Sequence, residues 1–240
     1  MRRFVAPEGA IESGQVTLRD SEAYHLAVVL RLRAGARVLV ADGRGIEHVV
    51  RLTAVDAQEV RGEIEQTRTG VTAPLDLVLV QGVPKGAKMD DIVRMGTELG
   101  VRSFIPVLTT RTVAQGRGRA ARWRRIAAEA AKQCARADVP AVLDPLPFTA
   151  ALDRLSTTTL ILLLWEGERA RTLAHVLQGA APSRVALLVG PEGGFDETEV
   201  SEAAARGATP VSLGPLILRT ETAGVVAAAM VLYELTLRRI

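Results

Sequence analysis

The chain has 240 residues, of which 48% are hydrophobic and 24% charged, with a formal net charge of +3, the make-up of an ordinary soluble globular protein of one or two domains. A single cysteine, Cys134, excludes an internal disulfide, and three histidines, His25, His48 and His175, do not make a zinc cluster, so no metal is expected. The first residues lack the apolar stretch of a signal peptide, and the apolar run 223–233 is short of the roughly 20 residues a membrane span needs, so a cytoplasmic location without membrane insertion is expected.

In chain order, residues 1–70 read as a small β-barrel or sheet. Runs 36–41, 46–55 and 58–66 alternate apolar and polar residues, and Asp42-Gly43-Arg44-Gly45 is a hairpin signal. One helix interrupts this region, starting near Asp20 and carrying Leu26, Val29 and Leu30 toward Leu32. Its last turn holds Arg31 and Arg33, placed well against the helix dipole and open to RNA. A low-complexity join at 69–74 divides this part from residues 71–240.

Beyond the join the rhythm becomes strand, helix, strand. A buried strand is expected at 75–81, then a helix with the stripe Met89, Ile92, Val93, Gly96 and Leu99, and a strand at 104–108. A helix over 120–137, a strand at 141–143, a short helix at 148–155 and strands at 160–165, 185–189 and 210–213 follow. This alternation predicts an α/β domain with a largely parallel sheet and helices on its faces. The segment Gly82-Val83-Pro84-Lys85-Gly86-Ala87-Lys88-Met89 is one residue short of a P-loop and has Met where a magnesium-binding Ser or Thr is required, which excludes that chemistry.

Charge is concentrated between Arg111 and Arg136, where eight basic residues face Glu129 alone, a local +7 that attracts polyanions or forms a solvated helix face. On the helix from Ala120, the spacing sets Arg122, Arg125, Glu129, Lys132 and Arg136 on one side. Trp123, Ile126, Ala127, Ala130 and Cys134 fall on the other, where a buried, inert thiol is expected. The approach Gln115-Gly116-Arg117-Gly118-Arg119 is supple enough to follow a phosphate backbone, or is a loose surface loop. The segment 223–235 is apolar nearly all round, which suits a homodimer interface or a central core helix.

Two loops carry the chemistry: Gly190-Pro191-Glu192-Gly193-Gly194-Phe195, and Leu213-Gly214 running through Ile217-Leu218-Arg219-Thr220-Glu221-Thr222-Ala223. Each follows a strand and precedes a helix, the place where open α/β sheets hold ligands, so one shared pocket is expected. The glycine spacing is not that of a dinucleotide fingerprint. Glu192 would repel a phosphate at close range, so a cofactor without phosphate fits better.

Those loops, with Lys85-Gly86-Ala87-Lys88-Met89-Asp90, Thr97-Glu98-Leu99-Gly100-Val101, the opening Met1-Arg2-Arg3-Phe4, and Trp123-Arg124-Arg125-Ile126, resemble the bacterial ribosomal RNA uridine-N(3) methyltransferase family of the SPOUT superfamily. The resemblance runs from end to end and is most specific in the two C-terminal motifs. It implies a PUA-like RNA-binding β-barrel over 1–70, followed over 71–240 by a methyltransferase domain with a C-terminal trefoil knot that forms a homodimer. It also implies S-adenosylmethionine as cofactor, held by Leu164, Trp165, Glu166, Gly190, Glu192, Gly193, Gly194, Leu213, Gly214, Ile217, Leu218, Arg219 and Thr222. For methylation of a uridine N3 in small-subunit ribosomal RNA, Arg219 is assigned to stabilise the uracil anion, and Glu221 or water to take the proton. Phosphate anchoring and a helix-dipole charge are their plainer roles. RNA contacts are expected from Arg2, Arg3, Arg31, Arg33, Lys85, Lys88, Arg111, Arg122 and Arg125. The alternatives are a SPOUT methyltransferase with another RNA target and a non-catalytic RNA-binding ribosome-assembly protein.

Overall fold

The computed structural model describes residues 1–113, 118–155 and 159–238. The Gln115 to Arg117 part of the glycine-rich approach lies outside them. The chain divides into two compact units, Met1–Thr72 with Ala131–Val139, and Ala73–Ala130 with Pro140–Ile240.

The first unit is a curled six-stranded sheet. Its strands are β1 (Arg3–Val5), β2 (Ile11–Glu12), β3 (Gln15–Arg19), β4 (Arg37–Ala41), β5 (Ile46–Val55) and β6 (Glu59–Thr69), in the order β1-β4-β5-β6-β3-β2. All pairs are antiparallel except β1 with β4. The inward residues of the alternating strands, among them Phe4, Val16, Leu18, Val38, Val40, Val50, Leu52 and Val60, form one core closed by Leu26. The expected helix is present as α1 (Asp20–Tyr24), but it runs on through a π-helical turn, His25–Val29, closed by Leu30 N–H donating to the His25 carbonyl. The wider turn rotates Val29 out to 60% exposure, so Val29 is not on the apolar stripe, whereas Leu26 is fully buried.

The second unit contains β7 (Asp76–Gly82), α2 (Lys88–Leu99), β8 (Ser103–Leu108), α3 (Ala120–Gln133) up to Ala130, its last three residues belonging to the first unit, β9 (Ala141–Val142), β10 (Leu146–Pro147) and α4 (Phe148–Leu152). These are followed by β11 (Leu160–Leu164), α5 (Leu173–Leu177), β12 (Arg184–Val189), α6 (Glu197–Ala205), β13 (Thr209–Val211) and α7 (Thr220–Leu232). The strand order is β10-β8-β7-β12-β11-β13, with β9 also on β8, and every pair is parallel. Strands covered on both faces read as continuous apolar runs, which is why Leu77, Val78, Leu79 and Val80 are all buried. One core groups Val78, Val80, Val107, Leu163, Leu188, Phe148 and Phe195; on the other side α7 packs against α2, β7 and β12.

Strand β11 has β12 on one side and β13 on the other, so the order reverses there and opens a crevice at the strand ends. After β13 the chain returns past β11 to seat α7 on β12 and β7. Three local expectations change. Helix α3 stops at Gln133, so Arg136 is off the helix, 4% exposed, and paired with Asp138 through its Nη2 at 2.7 Å instead of sitting on an open basic face. Cys134 is only half-buried, its thiol directed at the Ala131 carbonyl. Helix α7 continues through a π-turn, Tyr233–Leu237, so Thr220–Leu237 reaches the length and apolarity of a membrane span, although it buries Gly224, Ala227, Ala228, Val231 and Leu232 within this unit.

Candidate active site

A cavity of about 950 Å³ opens at the C-terminal ends of β11, β12 and β13. Strand β11 supplies Leu164 and leads into Trp165, Glu166, Glu168, Arg169 and Thr172. Strand β12 leads into Gly190, Pro191, Glu192 and Gly194, and β13 into Ser212, Leu213, Gly214, Ile217, Leu218 and Arg219. Lys88 from α2 and Thr220, Glu221 and Ala223 from α7 complete the wall. The two motif loops therefore share one pocket. Of the cofactor residues named from the sequence, Gly193 and Thr222 are not on the wall: Gly193 offers its carbonyl to Arg111 Nη1 at 2.7 Å, and Thr222 is exposed on the first turn of α7.

Three of the lining residues, Gly190, Gly194 and Gly214, carry no side chain. Gly194 has φ +68°, a left-handed conformation that side-chain-bearing residues rarely adopt, so glycine is what allows the turn at this point of the wall. Leu164, Trp165, Val189, Leu213 and Leu218 give the cavity an apolar side suited to a flat aromatic group.

The charged lining is Lys88, Arg169 and Arg219 against Glu166, Glu168, Glu192 and Glu221, three cations and four carboxylates, a net −1. Lys88 Nζ lies 2.9 Å from Glu192 Oε1 and 3.6 Å from Glu221 Oε2. Burial pushes the Glu192 carboxyl up, but the Lys88 ammonium and the backbone amides of Glu192 and Lys85 outweigh it and hold the group below the usual range. The hydrogen bond to Glu192 raises Lys88 against the opposing effect of burial, and the charges of Glu192 and Glu221 add to it. The carboxylate of Glu192 is thus compensated by an ammonium, and its repulsion toward phosphate is weaker than the sequence alone suggests. Arg219 is exposed at the start of α7 and borders the cavity; its carbonyl accepts the Thr222 and Ala223 amides, while its guanidinium makes no hydrogen bond or ion pair to the described residues.

The remaining sequence-named cations are dispersed. In the first unit Arg2, Arg31 and Arg33 are exposed, while Arg3 pairs with the buried Glu47. In the second unit Lys85 and Arg125 are exposed, Arg122 pairs with Asp90 at 2.7 Å, and Lys88 is committed to the cavity. Sequence reasoning missed Gln81, fully buried behind the cavity, whose Nε2 donates to Thr220 Oγ1 at 2.9 Å while that hydroxyl donates to the Gly190 carbonyl at 2.5 Å. The signal was available: Gln81 is the one uncharged polar residue of its strand and directly follows the apolar run Leu77-Val78-Leu79-Val80. Among the described residues no group of three or more His, Cys, Asp or Glu could hold a metal ion.

Residues 71–232 match the family model of an RNA methyltransferase domain, and residues 18–65 that of an RNA methyltransferase PUA domain. The ribosomal RNA small subunit methyltransferase E of Synechocystis sp. is 38% identical over 96% of this chain and 76% of its own, and that of Bacillus subtilis 31% identical over 95% and 93%. Among solved structures, the methyltransferase E of Neisseria gonorrhoeae bound to S-adenosyl methionine superposes with TM-score 0.87 at 35% identity, covering 97% of each chain. A probable rRNA-methyltransferase from Porphyromonas gingivalis superposes with TM-score 0.88 at 27% identity over the full length of both chains. The chain belongs to the RNA methyltransferase family that includes the ribosomal RNA small subunit methyltransferase E proteins.

Proposed function

We propose that this enzyme methylates N3 of a uridine in small-subunit ribosomal RNA, with S-adenosylmethionine as donor, in the cytoplasm and as a homodimer. The observation that carries the reading is the cavity at the sheet's reversal point, where an apolar-walled pocket of net charge −1, with Gly190, Gly194 and Gly214 on its wall, sits beside an unpaired arginine, Arg219. An apolar wall accepts the adenine, and a slightly negative lining tolerates a sulfonium. The residues available to hold the donor are Leu164, Trp165, Glu166, Gly190, Glu192, Gly194, Leu213, Gly214, Ile217, Leu218 and Arg219, while Gly193 and Thr222 stand off the cavity wall. When bound, S-adenosylmethionine supplies a methyl group already activated on sulfur.

The chain's own task is alignment and management of one proton. The uracil imide loses its N3 proton as N3 takes the methyl group, and negative charge develops on the ring. Arg219, at the mouth of the second loop, stabilises that charge, and Glu221, in the first turn of α7, or a water receives the proton. Holding N3 in line with the methyl group contributes several kcal/mol on the scale of intramolecular reactions. The target base leaves its stack to enter the cavity. Arg2, Arg31, Arg33, Lys85, Arg111 and Arg125 hold the RNA backbone, whereas the ion pairs of Arg3, Lys88 and Arg122 make these three weaker phosphate ligands.

Incubating the protein with small-subunit RNA and labelled donor, then digesting to nucleosides, should yield 3-methyluridine. A ribose-methylated product, or none, sinks the reading. With donor and RNA saturating, Arg219→Ala and Glu221→Gln should each slow turnover by about 10- to 100-fold. Unchanged turnover with weaker RNA binding would make Arg219 a phosphate anchor. RNA affinity should fall steeply with salt, and Arg125→Ala should flatten that dependence by about one phosphate's worth.

A further inference from the structure

Lys88 begins α2, and its neighbour Met89 is buried, so the lysine is carried on a fixed turn of the helix. Its ammonium is shared between carboxylates from two other elements, Glu192 in the loop after β12 and Glu221 on α7. Glu192 Oε1 also accepts the Lys85 backbone amide at 3.0 Å, so that oxygen has two donors. Glu221 Oε2 is shielded from solvent and has no hydrogen bond. One ammonium against two carboxylates leaves this part of the wall with a net charge of −1, in a place where the side chains are 21–37% exposed. The other charged groups facing the cavity are Glu166, Arg169, Arg219 and Glu168. Glu166, Arg169 and Arg219 are exposed and screened by solvent, and the Glu168 carboxylate is taken up by the amides of Ala170 at 2.8 Å and Arg171 at 3.0 Å.

We propose that the cluster of Lys88, Glu192 and Glu221 sets the cavity's preference for a cationic ligand over its neutral counterpart, so that the sulfonium donor is held in preference to the thioether product. The proposal rests on the reading that the cavity takes S-adenosylmethionine. The donor and S-adenosylhomocysteine share their nucleoside and amino-acid parts and differ by one methyl group and one positive charge. A substitution that merely loosens the loops weakens both ligands in parallel. A substitution that changes the charge of the wall moves their ratio. Lys88 is then a specificity residue for the donor.

The test is the dissociation constant of each ligand, measured by calorimetry and by the fluorescence of Trp165, which lines the cavity. Relative to the unaltered protein, Lys88→Met, which leaves the two carboxylates uncompensated, should widen the preference for S-adenosylmethionine by about three- to tenfold. Glu192→Gln should narrow it by a similar factor, and Lys88→Arg should leave the ratio within about twofold. A ratio unchanged in both Lys88→Met and Glu192→Gln, even with both affinities reduced, overturns the proposal and leaves Lys88 a structural tie. If Lys88→Met does not fold, an unchanged ratio in Glu192→Gln alone overturns it. Failure of the unaltered protein to bind either ligand defeats the cofactor reading itself, an outcome distinct from binding with an insensitive ratio.

Discussion

Gly82 decides how closely β7 approaches the first cavity loop. A Cβ at this position would lie 2.5 Å from the Pro191 backbone nitrogen and 2.6 Å from its Cδ, so any larger residue pushes the loop away from the strand end. Beside it, Gln81 Nε2 reaches Thr220 Oγ1, and through that hydroxyl the start of α7 is tied to the Gly190 carbonyl. The two residues together set where both loops begin. Gly82→Ala should cost about 1–3 kcal/mol through overpacking against rigid backbone. The expected result is a lower Tm in calorimetric unfolding together with weaker S-adenosylmethionine binding; an unaltered Tm and Kd would show that the loop yields freely. The role of Gly82 was not legible in the sequence, because close approach to Pro191 depends on a residue more than a hundred positions away. The glycines of the motif loops, by contrast, marked their own turns.

At the scale of the element, α6 shows local sequence and tertiary structure acting together. Asp196 Oδ1 accepts the Glu199 amide at 2.8 Å and Glu199 Oε2 accepts the Asp196 amide at 3.0 Å, a reciprocal cap legible as Asp-x-x-Glu after the glycine loop. Glu199 Oε1 also accepts the Thr110 amide at 2.8 Å, which no local pattern could announce. The amide of Glu199 chiefly holds the Asp196 carboxyl below its ordinary value. A folded-state pKa below the unfolded one contributes stability above the unfolded value, about 3.9, that is lost as pH falls through the folded value. Asp196→Ala should therefore lower Tm by about 2–4 °C at neutral pH, and the difference should shrink as pH drops below about 4. A gap that persists at pH 2 would assign the effect to packing. Helix α5 went unread although Thr172 caps it by accepting the His175 amide at 3.2 Å; five residues are too few for a helical period to emerge.

For the molecule as a whole, the apolar C-terminal helix poses the question of what covers it. Its inner side is occupied by α2, β7 and β12, which satisfies the core reading of the sequence. Tyr233 and Leu237 remain 59% exposed, and Leu216 and Ile217 on the second cavity loop are 77% and 86% exposed. Exposed side chains of this size on an apolar helix support the proposed homodimer. Sedimentation at micromolar concentration should give twice the mass of one chain, and Tyr233→Asp with Leu237→Asp should give a single chain that unfolds at nearly the same temperature. A monomeric unaltered protein would end that proposal.

The sequence by itself determined the alternation of elements, the change from antiparallel to parallel pairing near residue 70, and the two loops that meet in one cavity. Each is encoded by periods of two and 3.6 residues and by glycines at strand ends, and a short window contains that information. Tertiary structure alone decided which charges are free. Arg3, Lys88, Arg122 and Arg136 all read as available cations in the chain, and each finds a carboxylate partner in the fold. Arg219 finds none among the described residues. The partners of Arg3, Lys88 and Arg122 lie tens of residues or more away in sequence, and Coulomb attraction acts through space, so the folded arrangement had to exist before any of these charges could be assigned a role.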